Sequence, residues 1–100
     1  MTIEVGVWGF SLSHPALLQM ASHNRLWVKW QAEVEDRDFA LQQVATDTPG
    51  ILVVSPHCDA DQIKAAIPPH AKVNVVQDHE PFQKVLDLLP PPKPSKKRSR

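Results

Sequence analysis

Seven side chains with chemical capability sit at the ends of short apolar runs: His14, Ser55, His57, Cys58, Asp59, Asp78 and His79. Imidazole titrates near neutral pH and is the commonest protein metal ligand. A thiolate is a nucleophile and a zinc ligand. Cys58 lies just ahead of a predicted helix, where the positive end of the helix dipole would lower a thiol pKa. A small metal- or thiol-dependent enzyme is therefore one reading of this set. The spacing speaks against it, because there is no His-x-x-x-His, no His-Glu-x-x-His and no second cysteine. Asp59 and Asp78 also have a plain structural use, since each precedes a helix whose first N–H groups need acceptors. The three glycines, Gly6, Gly9 and Gly50, do not make a dinucleotide fingerprint, and Val7–Ser11 lacks the lysine of a phosphate-cradling loop. No catalytic residue, metal or cofactor is expected, and the seven residues stand as a candidate ligand edge.

A second set points to partners. Arg25 to Val34 alternates, with Leu26, Val28, Trp30, Ala32 and Val34 on one face and Trp27, Lys29, Gln31 and Glu33 on the other. Trp30 then belongs to the core. Trp27 is either covered by a helix or is a contact residue beside Lys29 and Gln31, since tryptophan is enriched at binding hot spots. The charge is divided along the chain. Residues 1–92 carry 6 Lys/Arg against 11 Asp/Glu, whereas Lys93, Lys96, Lys97, Arg98 and Arg100 give the end five positive charges and no acid. Such a tail is solvated, or else binds phosphate backbone with strong salt dependence.

These residues need elements to position them. Ile3 to Phe10 is β-branched and aromatic, a first strand. Pro15 after Ser13-His14 starts a helix that Asn24 stops, with Leu17, Leu18, Met20 and Ala21 apolar. After the alternating second strand, Asp36 or Asp38 caps a helix to about Ala45, with Phe39, Leu41 and Val44 apolar, and Thr48-Pro49-Gly50 breaks it. Ile51 to Val54 is apolar throughout, so this third strand is covered on both faces. Asp59 and Gln62 have capping-box spacing ahead of Ile63, Ala66 and Ile67. Lys72 to Gln77 is a fourth strand. Asp78 to Glu80 before Pro81 begins a last helix carrying Phe82, Val85, Leu86, Leu88 and Leu89. Residues 1–89 form one domain, and Pro90-Pro91-Pro92 opens an extended, disordered basic tail over 90–100.

Four strands alternating with four helices predict an α/β fold, a mostly parallel sheet in the order 2-1-3-4 with helices on both faces. The alternating second strand is an edge. In such a sheet, ligands bind beyond the C-terminal ends of the strands.

The alternation from Ile3 to Leu89 resembles the receiver domain of bacterial response regulators and, more loosely, flavodoxin-like domains. The resemblance is architectural. Receivers carry an acidic pair after the first strand, where this chain has Gly9-Phe10-Ser11, and a phosphoacceptor aspartate at the end of the third, where it has Ser55. Their fifth strand and helix have no counterpart before the proline spacer. The resemblance thus implies an atypical receiver-like module that is not phosphorylated in the usual way and acts through protein contacts, including self-association.

The expected function is a non-catalytic interaction or regulatory module that binds a protein partner or its own copy, with weak nucleic-acid contact through the tail as an alternative. No membrane association is expected, because no apolar run is long enough to cross a bilayer. The lone cysteine and the absence of a basic, then apolar, start at Met1-Thr2-Ile3-Glu4 fit a cytoplasmic location.

Overall fold

The computed structural model describes residues 2–89. Along the chain it has β1 (Ile3–Trp8), α1 (Pro15–Ser22), β2 (Leu26–Ala32), α2 (Arg37–Thr46), β3 (Ile51–Val54), α3 (Ala60–Ala66), β4 (Asn74–Gln77) and α4 (Phe82–Leu88). The sheet order is β2-β1-β3-β4 and every pairing is parallel, as the alternation predicts. No helix among the described residues is long and apolar enough to cross a membrane. The expected tail over 90–100 lies outside the described residues.

Two apolar layers hold the helices to the sheet. On one face, Val5, Val7, Ile51, Val53 and Val76 pack under Leu17 and Met20 of α1 and Val85 of α4. On the other, Trp8, Leu52 and Val54 pack under Ala40 and Val44 of α2 and Ala60 and Ile63 of α3. Period-2 alternation along β1 and β3 divides their side chains between the two layers. All four residues of β3 are buried, which agrees with its unbroken apolar run and its central place.

The helices depart from their expected faces. In α1, Ala16, Leu17 and Met20 are buried, but Leu18 is 54% exposed. In α2, Ala40 and Val44 form the buried stripe at i, i+4 and Phe39 is exposed. The last helix starts with Pro81, not Asp78, at its N-cap.

The single face assigned to Leu26, Val28, Trp30 and Ala32 is corrected by the structure. Val5 pairs with Val28, whereas the next residue, Gly6, pairs with Trp30, so Lys29 is an extra residue in the ladder. A β-bulge of this kind shifts the side-chain phase by one. Leu26 and Val28 therefore join the α1/α4 layer, and Trp30 and Ala32 join the α2/α3 layer.

Gly6 is the counterpart of this shift. A Cβ at Gly6 would lie 2.5 Å from Trp30 Cε2, closer still to Cζ2, and 3.0 Å from Pro49 Cγ. Only a residue without a side chain lets the indole lie against the strand. The Nε1 groups of Trp8 and Trp30 are buried with no hydrogen-bond partner among the described residues, so packing alone holds both rings.

Lys29 turns inward. Its Nζ lies 2.8 Å from Glu4 Oε1 and 2.6 Å from Asp47 Oδ1, with the side chain 8% exposed. Burial alone would push this ammonium's pKa down. The hydrogen bonds to Asp47 and Glu4, with their negative charges, outweigh it and hold the pKa above the ordinary 10.5. A raised pKa contributes stability that is fully present below the unfolded value and is lost as pH rises through the folded one.

Two expectations follow from the bulge. Gly6→Ala should cost about 1–3 kcal/mol, the usual penalty of overpacking a filled core, read as a lower urea midpoint. An unchanged midpoint would mean that Trp30 moves aside freely. Stability should decline above about pH 10.5 as Lys29 loses its proton, and Lys29→Met should make that alkaline limb shallower in a pH series of thermal melts, the exposed Lys84–Asp78 pair leaving a smaller remainder.

Candidate functional site

Parallel strands deliver their following loops to one rim, and the seven candidate residues all lie along it. They do not form one site. The structure separates them into a packed centre, a flanking groove and capping groups.

The centre lies where β1 and β3 end. Gly9 has φ +97°, and a Cβ there would come 2.5 Å from Ser55 Cβ and 2.7 Å from Cys58 Sγ. The first loop is therefore pressed onto the loop after β3. Ser55 is buried, and its Oγ accepts a hydrogen bond from the His57 N–H at 3.2 Å. Gln77, at the end of β4, donates to the carbonyls of Ser55 at 3.2 Å and Cys58 at 2.8 Å. Cys58 is 7% exposed, and burial pushes its thiol pKa up from the usual 9.0. A nucleophilic cysteine needs the opposite shift. His57 points to the surface, away from this packing.

The groove lies to one side, between α1 and α4. It encloses about 650 Å³ and is lined by His14, Gln19, His79, Glu80, Phe82 and Gln83, together with Pro15 and Ala16. The rim thus brings His14 and His79 together and keeps both apart from Cys58. His14 is the N-cap of α1, and its Nδ1 accepts the Ala16 N–H at 3.1 Å. Its ring meets Phe10 edge-on at 4.8 Å. With Nδ1 accepting, a neutral His14 carries its proton on Nε2. The groove offers hydrogen-bond donors and acceptors over an apolar floor. Among the described residues, no group of three or more His, Cys, Asp and Glu is placed to hold a metal.

The aspartates are engaged locally. Asp59 is the N-cap of α3, as expected, but its carboxylate accepts the Asp61 N–H at 3.0 Å, while the Gln62 N–H of the expected capping box bonds to the Asp59 carbonyl at 3.2 Å. Asp78 accepts the Glu80 N–H at 2.9 Å and pairs with Lys84 at 2.8 Å. These hydrogen bonds, that from Lys84 foremost, hold its carboxyl below the ordinary 3.8. Along the whole rim, Glu33, Glu35, Asp36, Asp38, Asp59, Asp61, Asp78 and Glu80 meet only Arg37 and Lys84 of opposite sign among the described residues.

The β2 edge has a different character. Of Trp27, Lys29 and Gln31, only Trp27 stands out into solvent, at 54% exposure. Lys29 is drawn to Glu4 and Asp47, with its Nζ 6.0 Å from the Trp27 ring centre. Gln31 donates to the Phe10 carbonyl. On the α1 face of the same strand runs an apolar groove of about 400 Å³, lined by Leu12, Leu17, Leu18, Ala21, Val28, Trp30 and Gln31. Leu12 is 68% exposed at its mouth. Sequence reasoning placed Leu18 in the core and passed over Leu12 and Gln77. The signal for Leu12 was a leucine inside a serine-rich turn.

No family model matches the chain, and comparison with curated proteins and with solved structures returns no match either. The receiver-like resemblance rests on topology, and topology alone assigns no activity.

The packed centre generates one expectation. Cys58 in the native protein should react with a thiol reagent at pH 8 at least about tenfold more slowly than in the urea-unfolded chain, as burial and a raised pKa both require. Equal rates would return Cys58 to the set of accessible nucleophiles.

Proposed function

We propose that this chain is a non-catalytic protein-docking module whose docking surface is the outer edge of β2. The observation that carries the reading is the coincidence of a strand edge, unpaired among the described residues, with exposed apolar side chains on both of its faces. Leu12 and Leu18 flank the edge on the α1 side and Trp27 on the other. An unpaired edge offers backbone N–H and C=O groups to an added strand, and side-chain pockets beside it supply selectivity. The one charge within β2, Lys29, is neutralised by two carboxylates, so it does not guard the edge as an outward lysine would.

The state of the rim supports the same reading. Its thiol is buried with a raised pKa, its serine hydroxyl is a loop acceptor, and two of its aspartates serve a cap and an ion pair. A receiver-like ancestry would suit a module that has kept the scaffold and uses its surface. A cytoplasmic setting belongs to this proposal, since a lone cysteine makes no internal disulfide.

The reading is tested by selecting peptides from a random display library on the full chain, with a Leu18→Glu/Trp27→Glu double variant as counter-selection. Binders are expected to be extended segments with alternating apolar residues. In NMR titrations they should shift the amides of residues 26–32 and the methyls of Leu12 and Leu18. Binders that instead shift residues 55–59 or 78–83 would overturn the reading in favour of a rim site.

A further inference from the structure

The groove between α1 and α4 lies apart from the β2 edge, and its walls carry a chemistry of their own. We propose that it binds a small organic cation, an ammonium group carried on a flat aromatic stem.

The walls of the groove are held from behind. His14 is fixed by the Ala16 N–H, which its Nδ1 accepts at 3.1 Å, and by Phe10, which it meets edge-on at 4.8 Å. Phe82, on the other helix, meets His23 edge-on at 6.1 Å. His23 is anchored in turn, since its Nδ1 accepts the Arg25 N–H at 3.1 Å. Two rings from two elements thus line one preset space of about 650 Å³, a volume that suits a small molecule. A flat stem finds ring surfaces there to stack on or to meet edge to face.

The polar groups decide the charge. Among the described residues, the groove is lined by one carboxylate, Glu80, and by no lysine or arginine. Lys84, which follows Gln83 in the chain, is already paired with Asp78 at 2.8 Å. Gln83 Nε2 donates to Asp87 at 3.1 Å, which leaves its amide oxygen as an acceptor. Glu80 and Gln83 therefore suit a ligand that donates hydrogen bonds, as an ammonium does. An anion would need helix N-termini, and these are not open to it. At α1, Pro15 has no N–H and the Ala16 N–H is taken by His14. The other helix, α4, is seven residues long and begins just after Asp78 and Glu80. The face of Phe82 adds attraction for a cation, worth about two- to fivefold in affinity at an exposed site. Glu80 is exposed, so screening by solvent and salt keeps its share of similar size.

The experiment is an amide NMR titration of the full chain at pH 8 with three probes of similar shape: the phenethylammonium ion, 2-phenylethanol and phenylacetate. The cation is expected to shift the amides of Ala16, Gln19, Glu80 and Gln83. It should bind about fivefold or more tightly than the alcohol, with the anion weakest. Glu80→Gln should reduce that preference and leave the alcohol's affinity as it is. Phe82→Leu should weaken both the cation and the alcohol, through loss of the ring surface. Far-UV circular dichroism checks that each variant keeps its fold.

An alcohol or anion that binds as tightly as the cation would overturn the charge of the ligand. A preference unchanged in Glu80→Gln would overturn Glu80 as its counter-charge. Shifts of equal size over residues 33–38 would reveal general attraction to acidic loops and overturn the groove as the site, as would the lack of saturable shifts in residues 14–19 and 79–83. The β2 edge is decided separately, by where selected peptides shift the spectrum.

Discussion

The structure turns on the contact between Gly6 and Trp30. One extra residue in β2, Lys29, lets a tryptophan that would otherwise lie on the α1 side enter the opposite layer, and the bare backbone of Gly6 receives its ring. The α2/α3 layer is otherwise built largely of alanines and aliphatic residues, and the indole fills much of its outer end. The same bulge sends Lys29 toward Glu4 and Asp47, tying the edge strand to β1 and to the residue that ends α2. A polar residue in the strand thus serves as a clamp, and the edge is left without a protruding charge.

From this follows the division of labour across the molecule. At the centre of the rim, where β1 and β3 end, the loops pack on one another. Gly9 is pressed against Ser55 and Cys58, and Gln77 fastens the third loop through two carbonyl bonds. Of the large apolar residues left exposed, Leu12, Leu18 and Trp27 border β2, whereas Val34, Phe39 and Leu88 lie outside that strand. Scattered exposed apolar residues are ordinary; the docking proposal rests on three of them bordering a strand edge that is unpaired among the described residues.

Much of the fold could be read from the residues. The unbroken apolar run Ile51–Val54 marked a central strand, the alternation after Arg25 marked an edge, and Pro15, Asp36 or Asp38, and Asp59 marked helix starts. Asp36 proves to be the N-cap position of α2, without a side-chain cap bond. The bulge could not be read, because a single extra residue leaves the composition of a strand unchanged while reversing the faces of all that follow. The split of the rim was equally hidden. His14 and His79 line one groove because α1 and α4 share a face of the sheet, whereas Cys58 lies against Gly9, and such juxtapositions depend on crossover packing, which local periodicity does not encode. Asp78 was misplaced as a helix cap for a local reason: Pro81 occupies the cap, and the aspartate is drawn back to Lys84.

The acidic rim has a further consequence, at longer range. Parallel α/β sheets usually gather helix N-termini at this rim, where the positive ends of their dipoles attract phosphates and carboxylates. Here eight carboxylates stand over those same termini, opposed there by Arg37 and Lys84 among the described residues. Their negative charge opposes the pull that the helix termini would exert on an anion, and added salt weakens both effects. Among the described residues, the end of the sheet where this kind of scaffold gathers positive dipole ends is thus one where carboxylates outnumber cationic side chains.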